Sequence, residues 1–410
     1  MRYADLEVKF NDREVWKSDL AEIRQGPRWG DVVSSKDRLE ELKVKIKKDL
    51  ESKLYPPIDN AESDEEIGIK LTPVLEQLNK GFFISDSIND DLLLSKANKN
   101  TLEKKLQNWC NQLNQNAPLI KTYPGTKIFH NKLKNIPCVI VSAGPSLQQA
   151  INKLKALKGR AVIIALGTSF RSCVNRSIIP DFVNAHDANG PDPRAGTGGG
   201  PKFFKGAYAK DTIAIFVNYI FPGTIAAYEG PKCFYYVDDP GISCYKTMAI
   251  ACDGPERPDG SFLESSIVGG SSVAHTAMYA AIRFGCNPIT LVGLDLSYPD
   301  FNRSHFESDN MKNVRTKRLI DVTGVNGRKL KTDLSFYSYA TVFNRMVPYM
   351  TVMNDIDLFN SSENEDGSSA GIVHYGLKPM KFDDWIERYA TTLRQEITEI
   401  MEVYKSYRKK

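Results

Sequence analysis

Cys138-Val139-Ile140-Val141-Ser142-Ala143-Gly144-Pro145-Ser146-Leu147 is the stretch whose reading decides the fold. Cys138 to Ser142 is almost continuously apolar instead of alternating, the pattern of a strand buried on both faces. Gly144 can adopt backbone conformations closed to other residues, so the chain can turn sharply there. Pro145 suits the first turn of a helix, where its missing N–H costs nothing. Ser146 can cap the free N–H groups of that turn. A strand, a glycine turn and a helix start make a place for phosphate. The same residues also suit an ordinary strand-to-helix connection, and both readings stand at this point.

Downstream the rhythm repeats. A helix is expected over Leu147 to Leu157, ended by Lys158-Gly159, and then a second buried strand, Ala161 to Leu166. Gly167-Thr168-Ser169 starts another helix, and Phe182 to His186 is a third strand with Asp187 at its end. Strand–helix–strand repeats imply right-handed crossovers and a parallel sheet, whose ligands bind beyond the C-terminal ends of the strands. Ser142 to Ser146, Gly167 to Ser169 and His186 to Asn189 should gather at that edge. A Gly- and Pro-rich loop follows over 190–204, either a lid or a long surface excursion. Thr212 to Val217 and Cys233 to Val237 read as strands, and 238–265 as loop. Gly269-Gly270-Ser271-Ser272 forms a second small-residue corner, at the start of an Ala-rich helix that Gly285 and Pro288 end. Strand Ile289 to Gly293 leads to Asp295, placed to meet a ligand hydroxyl or amine, or to cap the next turn. A hairpin turning at Asn326-Gly327, a helix over Leu334 to Tyr349, a strand at Asp357 to Asn360 and one long helix over Asp383 to Tyr407 complete the chain.

Upstream, residues 1–120 are polar and helical in pattern, with an exposed amphipathic segment at Ser35 to Ile46 and helices at Leu71 to Leu78 and Asp90 to Asn114. Nothing there looks catalytic, and the region suits packing, homo-oligomerisation or partner docking. The 410 residues divide accordingly into a helical N-terminal region (1–120), a nucleotide-binding domain (121–380) and a C-terminal amphipathic helix (381–410). The fold class is α/β: a Rossmann-like, mostly parallel sheet with flanking helices.

Composition narrows the function. Hydrophobic content of 41% and charged content of 25% are those of a soluble globular chain. No apolar run approaches a membrane span, and no signal core opens the sequence, so a cytoplasmic location is expected. The seven cysteines show no CxxC spacing; reduced thiols are expected, with neither disulfide nor metal site. A net charge of +4 is too small to argue for nucleic acid.

The motifs together carry a resemblance. Ala143-Gly144-Pro145-Ser146-Leu147, Pro180-Asp181-Phe182-Val183 with Asp187, Gly269-Gly270-Ser271-Ser272-Val273-Ala274, Gly285 to Leu296, Ser304-His305 and Asn360-Ser361-Ser362-Glu363 occur in a common order and spacing. On these, residues of roughly 125–380 resemble the central domain of the motility-associated-factor (Maf) flagellin glycosyltransferases, of the MptE-like group. The layout is also similar to that of bacterial sialyltransferases. The resemblance implies a CMP-activated nonulosonic-acid donor and a protein or glycan hydroxyl as acceptor, with no tightly bound cofactor. It implies that Gly144, Pro145 and Ser146 bind the nucleotide-phosphate part and that Gly270, Ser271 and Ser272 line the same pocket. Gly167, Thr168 and Asp187 join them from the neighbouring strand ends. It implies that Asp295 sits near the sugar and that His305 acts in catalysis as a base, a role its intrinsic pKa suits. His186, beside Asp187, is either a site residue or a structural hydrogen-bonder; His275 is expected to pack. The other branch of the group implies a second reading, an ATP-dependent 6-hydroxymethylpterin pyrophosphokinase using magnesium, with Asp187, Asp192 and Asp295 as possible carboxylates. A third is a non-catalytic structural or interaction module on the same fold.

Overall fold

The computed structural model of the chain describes residues 106–188, 190, 200–207, 210–237, 245–253, 265–267, 272–298, 306, 319–373 and 377–408. The helices expected at 35–46 and 71–78, the first part of that at 90–114 and most of the 190–204 loop lie outside them.

The described strands are β1 Cys138–Val141, β2 Val162–Leu166, β3 Phe182–Ala185, β4 Ile213–Val217, β5 Lys232–Val237, β6 Ser266–Ile267, β7 Ile289–Val292, β8 Leu319–Thr323, β9 Lys329–Asp333, β10 Leu358–Asn360 and β11 Lys378–Pro379. Nine of them form one sheet in the order β11-β10-β7-β1-β2-β3-β4-β5-β6, every pair parallel. β8 and β9 form a separate antiparallel hairpin. Every residue of β1 and β2 is buried, which is why their sequences are uninterrupted Cys, Val, Ile, Ala and Leu. Strands β1 to β6 step outward in chain order, and then β7 returns to the other side of β1. The order therefore reverses between β1 and β7, and at such a reversal the loops leaving the strand ends diverge and open a crevice.

The helices are α1 (106–120), α2 Leu147–Ala150, α3 Gly167–Val174, α4 Pro201–Phe204, α5 Pro222–Ala227, α6 Tyr245–Asp253, α7 Val273–Phe284, α8 Leu334–Met353, α9 Phe382–Tyr389 and α10 Gln395–Arg408. α7 is the long return crossover and lies across β1, β2 and β3. Its buried Ala274, Ala277, Ala280 and Ala281 allow that close approach, and Gly285, at φ +89°, ends it. Among the described residues no helix is long and apolar enough to cross a membrane.

Three expectations are corrected. The helix read over Leu147 to Leu157 is four residues of α-helix followed by a 3-10 segment, Ile151–Leu157. Its buried residues Ile151, Leu154 and Leu157 recur every third position, the period of the tighter helix. The 238–265 loop contains α6, whose Met248 and Ala249 are buried while Asn218 Nδ2 donates to the Met248 carbonyl (2.8 Å). The single helix read over Asp383 to Tyr407 is two. It breaks at Ala390, and the Arg394 N–H donates to the Gly159 carbonyl (2.8 Å), a tertiary bond that a continuous helix would forbid. α10 then buries Ile397, Ile400 and Tyr404.

α1 clamps the loops at the C-terminal ends of β3 and β4. Gln112 Nε2 donates to the Ala188 carbonyl (3.0 Å), Asn116 Nδ2 donates to the carbonyls of Asn218 (3.0 Å) and Ile220 (2.7 Å), and Trp109 stacks on Tyr219 at 4.9 Å. Asn116→Ala leaves two buried carbonyls without that donor. It is expected to cost roughly 2–6 kcal/mol in urea denaturation, at about 1–3 kcal/mol per unsatisfied group. A loss below about 1 kcal/mol would show that the clamp does not hold these loops.

Candidate functional site

The site forms where the sheet order reverses, from three loops: the turn after β1, the segment after β7 and the segment after β10. Glycine permits their contact. A Cβ at Gly144 would fall inside the Asp295 carboxylate and 2.6 Å from the Gly293 carbonyl oxygen. Gly293, at φ +71°, and Gly371, at φ +88°, leave equally little room: a Cβ would lie 2.6 Å from the Ser142 oxygen and 2.7 Å from the Leu294 oxygen, respectively. The Gly144 N–H donates to the Gly293 carbonyl (2.8 Å), stitching the first two loops together.

Asp295 is the central group. It is 3% exposed, and its Oδ2 accepts the Ser146 N–H (2.9 Å). Burial pushes its carboxyl up to about 6, against the downward pull of the Ser146 N–H. One carboxylate thus meets the N-terminal turn of α2, the place read from sequence as a phosphate site.

Buried hydroxyls and acids fix the surrounding backbone. Ser361 Oγ accepts from Thr290 Oγ1 (2.8 Å), Ser362 Oγ from the Leu294 N–H (2.9 Å), and Glu363 Oε2 from the Phe382 N–H (3.2 Å). The Asn360-Ser361-Ser362-Glu363 motif is therefore a brace for the Asp295 loop. Tyr298 donates its hydroxyl to Asp333 (2.6 Å), and Asp333 also caps α8 through the Phe336 N–H (2.9 Å). The Thr332 hydroxyl donates to the Leu296 carbonyl (2.7 Å). These bonds draw the β8–β9 hairpin against the segment after β7. Between them lies a cleft of about 120 Å³ whose polar lining is Asp295, Ser297, Asn326, Arg328, Lys329 and Asn364.

Phe306 belongs to the segment between β7 and β8. Its N–H donates to the Ala143 carbonyl (2.7 Å), and the Arg176 guanidinium lies 5.1 Å from its ring centre.

Of the residues read from sequence, Gly144, Pro145 and Ser146 come together with Asp295. Gly167 is buried at the start of α3, Thr168 is exposed beside it, and Asp187 is exposed just past β3, both on the same edge of the sheet. Ser272 caps α7: its N–H donates to His275 Nδ1 (3.2 Å) and its hydroxyl lies 2.9 Å from the same nitrogen. The first turn of α7 sits over the end of β3, where Asn184 Nδ2 donates to Thr276 Oγ1 (3.1 Å). Gly270, Ser271 and His305 lie outside the described residues. His275 stacks on Phe343 at 3.8 Å, and burial pushes it down to about 3, the packing role expected of it. His186 bridges the hydroxyls of Tyr235 and Tyr219, each at 2.8 Å, and burial pushes it down to about 4. The hairpin residues Asn326, Arg328 and Lys329 escaped the sequence reading, which gave the hairpin but not where it packs.

Residues 111–301 match the family described as 6-hydroxymethylpterin diphosphokinase MptE-like, and the resemblance read from the motifs is borne out there. A solved structure, the Maf glycosyltransferase from Magnetospirillum magneticum AMB-1, is similar at 18% identity with a TM-score of 0.46. The alignment takes in 72% of this chain and 42% of that one, so this chain spans less than half of that protein's length. No curated protein matches.

Proposed function

We propose that this MptE-like domain is a nucleotide-sugar-dependent glycosyltransferase of the Maf type, transferring a CMP-activated, nonulosonic-acid-like sugar to a protein or glycan hydroxyl. The observation that carries the reading is Asp295, a buried carboxyl near pKa 6 standing between the Gly144–Ser146 turn and a polar cleft. A base for an acceptor hydroxyl should titrate near the working pH, and burial raises the Asp295 carboxyl in that direction. In the proposed step the acceptor hydroxyl gives its proton to Asp295, and its oxygen bonds the anomeric carbon. The bond from that carbon to the phosphate oxygen breaks, and CMP departs with the electron pair. The turn at Gly144 to Ser146 would hold the leaving phosphate, with Gly270, Ser271 and Ser272 lining the nucleotide side and Gly167, Thr168 and Asp187 the edge beyond it. His305 is one residue from Phe306, whose N–H is tied to Ala143. The catalytic role proposed for His305 rests on the family resemblance of the Ser304-His305 motif.

The name of the matched family supports a second reading, ATP-dependent diphosphoryl transfer to a hydroxymethylpterin. Magnesium would there offset the charge of the triphosphate. The described carboxylates offered for it, Asp187 and Asp295, stand past the ends of β3 and β7, three strands apart in the sheet, and one oxygen of Asp295 is already given to an amide N–H.

Thermal shift with CMP, CDP, UDP, GDP and ATP, each with and without magnesium, tests these readings. A cytidine nucleotide is expected to raise Tm without magnesium, reaching about 2.7 kcal/mol of stabilisation at a hundred times its Kd. A response only to ATP with magnesium would favour the diphosphokinase. Response to none would favour an interaction module. His305→Ala should keep the cytidine response yet lose turnover; unchanged turnover would remove His305 from the mechanism.

A further inference from the structure

The cleft between the β8–β9 hairpin and the loop after β10 has a chemistry of its own. Its lining is two amides, a hydroxyl, a carboxyl and two cations, with Leu330 and Gly371 as the apolar remainder and no aromatic side chain among the described residues. A planar heterocycle would want a ring to stack on. Hydroxyls and an oxyanion would want amides, an acid and cations. The volume of about 120 Å³ is well below the roughly 300–1,000 Å³ of sites that enclose a whole drug-sized ligand, so it takes a fragment.

The cations are available. Lys329 Nζ donates to Thr323 Oγ1 (3.2 Å) and meets no carboxylate among the described residues. Arg328 pairs with Asp366, but both side chains are about half exposed, and such pairs are weak. Asp366 is held independently: the N–H and the hydroxyl of Ser368 donate to its Oδ1 (3.1 and 2.6 Å), so it stays in place when Arg328 turns away. A guanidinium that can leave a weak surface pair at little cost is poised for bidentate capture of an incoming oxyanion. At the opposite end Asp295 and Ser297, both buried, offer partners to hydroxyls, while the Asp295 carboxylate repels a second anion. The charge separation across the cleft therefore orients a ligand.

We propose that this cleft binds a small, hydroxyl-rich oxyanion, with Arg328 and Lys329 holding the negative group and the Asp295 end receiving hydroxyls. The proposal deepens the transferase reading, on which it rests, by giving the acceptor, whose hydroxyl must meet the base, its own seat beside Asp295. The negative group is either the carboxylate of an acidic sugar or the phosphate of a sugar phosphate.

Calorimetric titration of the full chain at pH 7.5 and low salt with glucuronate, glucose 6-phosphate and glucose tests it. At least one anion should bind at least tenfold more tightly than glucose. Preference for glucuronate assigns a carboxylate ligand, and preference for glucose 6-phosphate a phosphate. Arg328→Gln combined with Lys329→Gln should weaken that binding at least tenfold while leaving the CMP-induced rise in Tm as in wild type. Asp366→Asn, which releases Arg328, should tighten it. Equal binding of glucose, no binding of either anion, indifference to the double substitution or weaker binding by the Asp366 variant would overturn the proposal. Loss of the CMP response in wild type with intact anion binding would instead sink the nucleotide-sugar reading alone.

Discussion

Asp295→Asn is expected to make the protein more stable at neutral pH and to abolish transfer. The folded-state carboxyl titrates near 6, against 3.8 unfolded, so between these values the folded state binds more protons than the unfolded chain. Stability contributed by the protonated group is therefore fully present below about pH 4 and is lost as pH rises through 6. About two pKa units correspond to roughly 3 kcal/mol. The Asn variant carries no such titration, and its side-chain oxygen can still accept the Ser146 N–H. Wild type and variant compared by urea denaturation from pH 4 to 8 should diverge by about 1–3 kcal/mol in the variant's favour as pH rises, with the difference level above about pH 7. The comparison cancels His130, His186 and His275, whose burial pushes them down and makes stability fall in the opposite direction, as pH drops below 6.5. Turnover should fall by roughly 10²–10⁴-fold, the usual worth of a general base. A pH-independent stability difference would mean that Asp295 is not held as described, and retained turnover would mean that it is not the base.

Gly144→Ala should be strongly destabilising. The added carbon meets the Asp295 carboxylate on one side and the Gly293 carbonyl, fixed backbone, on the other. Only one of these can yield. Overpacking of this kind costs about 1–3 kcal/mol where neighbours relax, and more where they cannot. A loss of about 3 kcal/mol is expected for Ala, and failure to fold for Val. Asp295→Ala should restore part of the loss, since it removes the carboxylate but not the carbonyl, giving a coupling of about 1–2 kcal/mol in a double-mutant cycle. A Gly144→Ala protein within about 1 kcal/mol of wild type would show that the two loops are not pressed together.

The parts of this fold that could be read from sequence are those where one local pattern dominates. β1, β2 and β7 are apolar runs bounded by turn residues, and α7 is an alanine-rich stretch ended by Gly285. Local pattern says nothing of where a strand inserts, so β7 beside β1 became visible only in the structure. α6 was hidden because its short run lies between turn-forming Pro and Gly residues. The break at Ala390 was hidden because the bond that fixes it comes from Gly159, far along the chain. The same division holds at the site. Gly144 was read as a glycine whose backbone freedom lets the chain turn, yet its φ is not positive and what it makes room for is a carboxylate on another loop. Asp295 was read as either a ligand group or a cap; the structure shows its Oδ2 accepting the Ser146 N–H from the turn after the neighbouring strand. Arg328 and Lys329 looked like ordinary hairpin charges because only the tertiary bonds of Tyr298, Asp333 and Thr332 bring them to the cleft.

Hydrogen exchange of the full chain with and without saturating CMP bears most directly on the central claim, that the turn after β1 holds a nucleotide's phosphate beside the segment after β7 that carries the base. Slowed exchange in residues 142–147 and 293–297 is the expected result. CMP binding that slows exchange elsewhere and leaves both segments unchanged would contradict it.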